Sequence, residues 1–198
     1  VADFVQHYGV LRWSVVAAFL AAAAIVVARL VRPAVPAGAA AAVNSVPAHQ
    51  ESDAAHLLMC LVMLTMLIFP ASAHAIDGVL IAMTVVFGIL LVSRIAEWHS
   101  AGRADPVDRI LAIGYHVGAA AAMLYAMSGH GRGGPAPAPA LGLALVFVAD
   151  AVAVLAAART GRHWPGHPIS GSPGRWSQVP HLVMDAGTAY MLVAAAVG

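Results

Sequence analysis

The sequence predicts an all-α fold, a polytopic membrane protein built as a six-transmembrane-helix bundle. Three observations lead there: an apolar composition, six separate apolar stretches of spanning length, and a one-sided distribution of arginines. Of the 198 residues, 61% are hydrophobic and 10% charged, and the mean hydropathy is +0.84. Soluble domains carry about 25% charged and about 45–50% apolar residues. Too little polar side chain is present here to cover a globule in water. An ordinary cytosolic enzyme, a disordered chain and a disulfide-built secreted scaffold are therefore excluded. The net charge of +1 offers no polycationic surface, so no nucleic acid is expected as a partner. The single Cys60 lies in an apolar run with no second cysteine to bridge, and the redox compartment stays unreadable.

A spanning helix needs roughly 17–25 apolar residues, since about 30 Å of hydrocarbon at about 1.5 Å per residue takes about 20. The first stretch is 10–31; Asp3 and Arg12 accompany its start, and Arg29 and Arg32 follow it. Positive charge after the run is a stop-transfer pattern, so this span is expected to be retained and not cleaved as a signal. The second, 54–69, and the sixth, 181–197, are short and use their interfacial ends. Between them lie 77–96, 107–127 and 140–158. The connections 32–50, 70–76, 99–106, 129–139 and 160–180 are dense in Gly, Pro and Ser and read as loops. None is long enough for a second domain, so residues 1–198 are expected to form one integral membrane domain of the cell membrane, with the lipid bilayer as its first partner.

Arginines in short flanks are preferentially kept in the cytoplasm. One set of flanks holds Arg29, Arg32, Arg94, Arg103, Arg109, Arg159, Arg162 and Arg175, the other Arg12 and Arg132. Eight against two predicts that both termini are extracytoplasmic and that the second, fourth and sixth helices run outwards. Trp98, Trp164 and Trp176 then fall near the inner interface and Trp13 near the outer one.

The second stretch reads His56, Met59, Met63, Met66, at offsets of 3, 7 and 10 residues. At about 3.6 residues per turn these share one helix face. The sixth repeats the offsets as His181, Met184, Thr188 and Met191. The fourth keeps His116 and Met123, with Met127 one place beyond the last position. Three helix pairs of related design are suggested: first with second, third with fourth, fifth with sixth.

The chain resembles an uncharacterised actinobacterial family of small multi-pass membrane proteins, a domain of unknown function. The family's signature is a helix of the form His-x-x-Met-x-x-x-Met-x-x-Met. His56 to Met66 matches it in full, and His181 to Met191 matches with Thr188 as the departure. The resemblance covers nearly the whole chain. It implies topology and metal handling, with no established activity.

Imidazole and thioether are borderline and soft ligands that suit Cu(I), whereas Mg²⁺ and Ca²⁺ call for oxygens. The expected metal ligands are His56, Met59, Met63, His116, His181 and Met184, with Asp150 and Asp185 in support. Against this, Met also fills gaps between helices with no ligand at all. His56 and His181 start their stretches and equally read as interfacial anchors. His116, nine residues into its stretch and about 13 Å from the inner end, lies near the midplane. Asp150, ten residues into the fifth stretch, is expected at a similar depth, where the two would pair or Asp150 would bond a backbone carbonyl. Gly114 and Gly118, four residues apart, predict close approach of another helix. Cys60 points about 100° away from Met59 and is not counted as a ligand. Glu51, Asp53, His56, Glu97, His99, His181 and Asp185 gather at the inner rim, either as a cation-capturing mouth or as ordinary charged loop ends. The His-rich segment from Arg162 to Pro168 reads as an irregular connection.

The leading function is therefore binding or handling of a soft metal, copper. The alternative is a non-catalytic accessory or scaffold subunit with Met-packed helices and another envelope membrane protein as partner. A haem b-binding protein comes third, and needs two histidines at matched depth on facing helices. Without a Walker loop, G-x-S-x-G or H-E-x-x-H, an enzyme is the least favoured class.

Overall fold

The computed structural model describes residues 9–31, 42–69, 73–101, 107–128, 135–160 and 178–197, with side chains left out at 42–49 and 73–75. Six helices account for nearly all of these: α1 Gly9–Val31, α2 Ala42–Ile68, α3 Ala73–Ser100, α4 Asp108–Met127, α5 Pro137–Thr160 and α6 Val179–Val197. Each is long and apolar enough to cross a membrane. The all-α, six-helix membrane architecture expected from composition is the one observed. Helices suit lipid because every interior backbone N–H and C=O finds its partner within the same segment.

Helix ends follow local chemistry. Pro137 opens α5 at the position where its missing N–H costs nothing, and Pro180 falls in the first turn of α6. At the C-terminus of α2, Arg12 donates from Nε to the Leu67 carbonyl (2.7 Å) and from Nη2 to that of Ile68 (3.2 Å). These carbonyls have no partner further along the helix, so the guanidinium supplies one. The second helix begins twelve residues before the expected 54, passing through Glu51, Ser52 and Asp53.

The ion pairs define the topology. Arg12 joins the start of α1 to the end of α2, and Arg29 near the end of α1 reaches Asp53 at 3.4 Å, so α1 and α2 are antiparallel. Glu51 on α2 accepts from Arg94 near the end of α3 (3.2 Å) and from Arg109 at the start of α4 (2.7 Å). Hence α3 runs against α2, and α4 runs with it. Helices pack most closely as α1 with α2, α3 with α4 and α5 with α6, the three pairs the repeat suggested.

Across those pairs, α2, α4 and α6 also touch one another and form the centre. Of their membrane-crossing windows, 44, 50 and 61% is buried, against 28, 17 and 28% for α1, α3 and α5. The outer helices turn Val86, Ile89, Val92, Leu145 and Val146 outwards, an apolar surface suited to lipid contact.

One expectation needs correction, and one alternative is narrowed. Within the chain, the Gly114/Gly118 pair seats no close neighbour among the described residues: a Cβ on Gly114 would only touch Leu91 at 4.0 Å, and one on Gly118 would meet nothing. Close approach occurs at Gly187 on α6, where a Cβ would overlap the Phe19 ring and crowd Met63 Cε at 3.2 Å. Of the two readings of the acidic rim, the ion pairs fit ordinary charged helix ends. Glu51 and Asp53 are held by Arg94, Arg109 and Arg29, and Glu97 by Arg94 at 2.6 Å. Of the expected interfacial residues, Arg32, Arg103, Arg132, Trp164 and Trp176 lie outside the described residues, as do Asp3, Arg162, Arg175 and the His-rich segment.

Candidate metal centre

Below the arginine collar, three histidines from three helices meet. His56 of α2 and His116 of α4 pack edge to face with ring centroids 4.6 Å apart, and His181 of α6 lies 5.9 Å from His56. All three are buried. The i−4 carbonyls set two of the rings. His56 Nδ1 donates to the Ser52 carbonyl at 2.8 Å and His116 Nδ1 to that of Ala112 at 2.6 Å. A carbonyl only accepts, so the proton belongs on Nδ1 in both, and Nε2 carries the lone pair when the ring is neutral. His116 Nε2 lies 3.3 Å from His56 Nδ1. His56 Nε2 is buried and has no hydrogen-bond partner among the described residues. An imidazole held by a backbone carbonyl through one nitrogen, with the other presented inwards, is the usual posture of a metal-ligating histidine.

His181 carries the acidic half of the cluster. Its Nε2 donates to Asp150 Oδ2 at 2.8 Å and stands 3.2 Å from Asp185 Oδ2. Tyr115 donates its hydroxyl to Asp185 Oδ1, and its ring lies tilted over His181 at 4.4 Å. Single ligand atoms of Asp150, His181 and Asp185 all fall within 4.8 Å of one another. Ligands around an ion with bonds of about 2.0–2.2 Å stand roughly 3–4 Å apart, so small side-chain adjustments suffice for these three to share one.

The methionines continue the same interior. All eight are buried in one contiguous core, Met59, Met63, Met123 and Met184 completely. Cys60 is buried too, beside Met59 in sequence. The His–Met faces of α2, α4 and α6 thus converge inwards and do not scatter towards lipid.

The pairing of the ionisable groups differs from expectation. Asp150 meets His181, while His116 meets His56. The reason is stagger: Asp150 lies ten residues before the end of α5, whereas His181 is two residues into α6. At about 1.5 Å per residue, α6 starts roughly 12 Å below the end of α5. His56 and His181 are consequently core residues and not interfacial anchors; His56 follows fourteen residues of α2, and His181 enters below the rim. Tyr115 went unrecognised, since one aromatic in an apolar run carries no signal of its own. Its place immediately before His116 was the available clue. For haem, the edge-to-face contact of His56 and His116 leaves no slot for a planar macrocycle between the rings.

Six membrane-crossing helices closed around imidazoles and carboxylates make this a polytopic membrane protein with an ionisable core. No match to the chain was found among curated proteins or among solved structures. The chain belongs to the family described as domain of unknown function DUF5134, whose profile matches residues 48–195 and so includes every residue of the cluster.

Proposed function

We propose that this membrane protein binds and handles a transition metal ion, copper, in the core formed by α2, α4 and α6. His56, His116 and His181 are the nitrogen ligands, Asp150 and Asp185 the supporting carboxylates, and Met59, Met63 and Met184 the thioether donors one and two turns below. The observation that carries this reading is the meeting of three buried imidazoles from three helices beside two carboxylates. An ionisable group inside a membrane is costly unless it is paired or used, and five in one cluster call for a common purpose. Copper is the ion that both donor classes accept: imidazole serves Cu, Zn, Fe and Ni, and thioether selects Cu(I). The orientation that fits the arginine distribution has both termini extracytoplasmic in the cell membrane, with the collar at the cytoplasmic face.

The test is elemental analysis of the detergent-purified chain after Cu(I) loading, with His56→Ala and His181→Ala as comparisons. Near-stoichiometric copper that falls at least tenfold in occupancy with either variant is the expected result. Substoichiometric copper, unmoved by both substitutions, rejects the metal reading. It would leave the second reading, an accessory subunit for another envelope protein, which draws on the close packing of all eight methionines.

A further inference from the structure

The antiparallel pairing of neighbours makes α2, α4 and α6 run in one direction, and their histidines lie side by side. Equal offsets from those histidines therefore correspond to about equal heights. At offset 3 stand Met59 and Met184; at offset 7, Met63, Met123 and Thr188; at offsets 10 and 11, Met66, Met191 and Met127. With about 1.5 Å per residue these levels lie roughly 4.5, 10 and 15–16 Å below the imidazoles. Consecutive levels are thus only about 4.5–6 Å apart, and all of these side chains are buried in the same core.

Thr188 is the independent sign that the middle level serves more than packing. The other three threonines bond their own backbone: Thr65 to the Leu61 carbonyl, Thr84 to that of Leu80, each at 2.8 Å, and Thr160 to that of Ala156 at 3.0 Å. Thr188 is fully buried, and its Oγ1 has no hydrogen-bond partner among the described residues. Such an oxygen costs stability that an apolar side chain of the same shape would not. It stands on α6 one residue after Gly187, against which Met63 Cε is packed.

We propose a second soft-cation site at the level of Met63, Met123 and Thr188, continued by Met66, Met127 and Met191 as a ladder for Cu(I) along the bundle axis. This rests on the reading under Proposed function and adds a direction of travel to it. The side chains at these levels are buried against one another, which suits a dehydrated ion better than a hydrated one. A monovalent ion content with two or three soft ligands needs no hydrated path, because it moves by exchanging one thioether for the next. Unbranched methionine side chains are flexible enough to follow it.

The probe is Ag(I), which takes the same ligands and is not oxidised under assay conditions. Silver bound per chain is measured on the purified protein, and silver uptake is followed in proteoliposomes. Wild type is expected to hold at least two ions. The Met123→Leu/Met127→Leu pair, close to volume-conserving and outside the imidazole site, is expected to lose one ion, keep the ion that His56→Ala removes, and slow uptake at least tenfold. Thr188→Val gives the second readout: higher thermal stability without silver, and at least threefold weaker retention of the second ion. A Met123→Leu/Met127→Leu protein with unchanged stoichiometry and uptake overturns the ladder while leaving the imidazole site standing. Wild type that binds no silver overturns both.

Discussion

The two sets of helices differ in a way opposite to soluble proteins. The outer helices α1, α3 and α5 each have a mean hydropathy of 2.4, whereas the buried α2, α4 and α6 have 1.5, 1.6 and 1.2. The least apolar segments are inside, because lipid solvates a valine as well as a neighbouring helix does and only polar groups gain from leaving it. The outer set is a sleeve with one polar contribution to the cluster, Asp150. The inner set carries the histidines, Asp185, Tyr115 and seven of the eight methionines. Burial in this protein therefore marks chemistry and not merely packing.

Substitutions in matched positions would break or sharpen that contrast. Gly187→Leu on inner α6 drives a side chain into the Phe19 ring and Met63; a loss of about 3 kcal/mol is expected. It would be read as a lowered midpoint in thermal unfolding of the detergent-solubilised protein. On outer α5 a Cβ at Gly142 meets nothing, so Gly142→Ala is expected to gain about 0.5–1 kcal/mol through helix propensity. Equal effects at the two glycines would remove the distinction between sleeve and core.

Next in size is Asp185→Ala, which removes the carboxylate that accepts from the Tyr115 hydroxyl and one of the two carboxylates beside His181. A loss of about 2 kcal/mol is expected, with Asp185→Asn recovering at least half of it as judged by the same unfolding midpoint. Full stability in the alanine variant would mean that the carboxylate contributes nothing to the bundle. The smallest effect belongs to the collar. Arg109→Gln removes one of two guanidiniums from Glu51, at a site where both partners are partly exposed. The expected change is no more than about 1 kcal/mol, and less in high salt.

Much of this was legible in the residues. Hydropathy located every helix, and the offsets from His56 and His181 predicted which faces would turn inwards. What remained hidden has physical causes. The start of α2 was misplaced because Glu51, Ser52 and Asp53 interrupt an apolar window, yet a helix backbone tolerates them once arginines from three neighbours neutralise the two acids. Counting residues gave Asp150 and His116 similar depth, but depth does not choose a neighbour; the stagger of α6 against α5 did. The Gly114/Gly118 spacing describes a smooth surface without stating whether another helix uses it. Thr188 looked like a missing methionine, and only the environment of its hydroxyl distinguishes it from filler.

The stagger also constrains biogenesis. Asp150 emerges from the ribosome 31 residues ahead of His181, a lag of roughly 2–6 s at about 5–20 residues per second. Until then its carboxyl group lacks the His181 imidazole that it meets in the folded bundle, and a carboxylate halfway through a helix opposes partition into hydrocarbon. The Asp150–His181 bond thus favours release of the last two helices from the translocon as a unit.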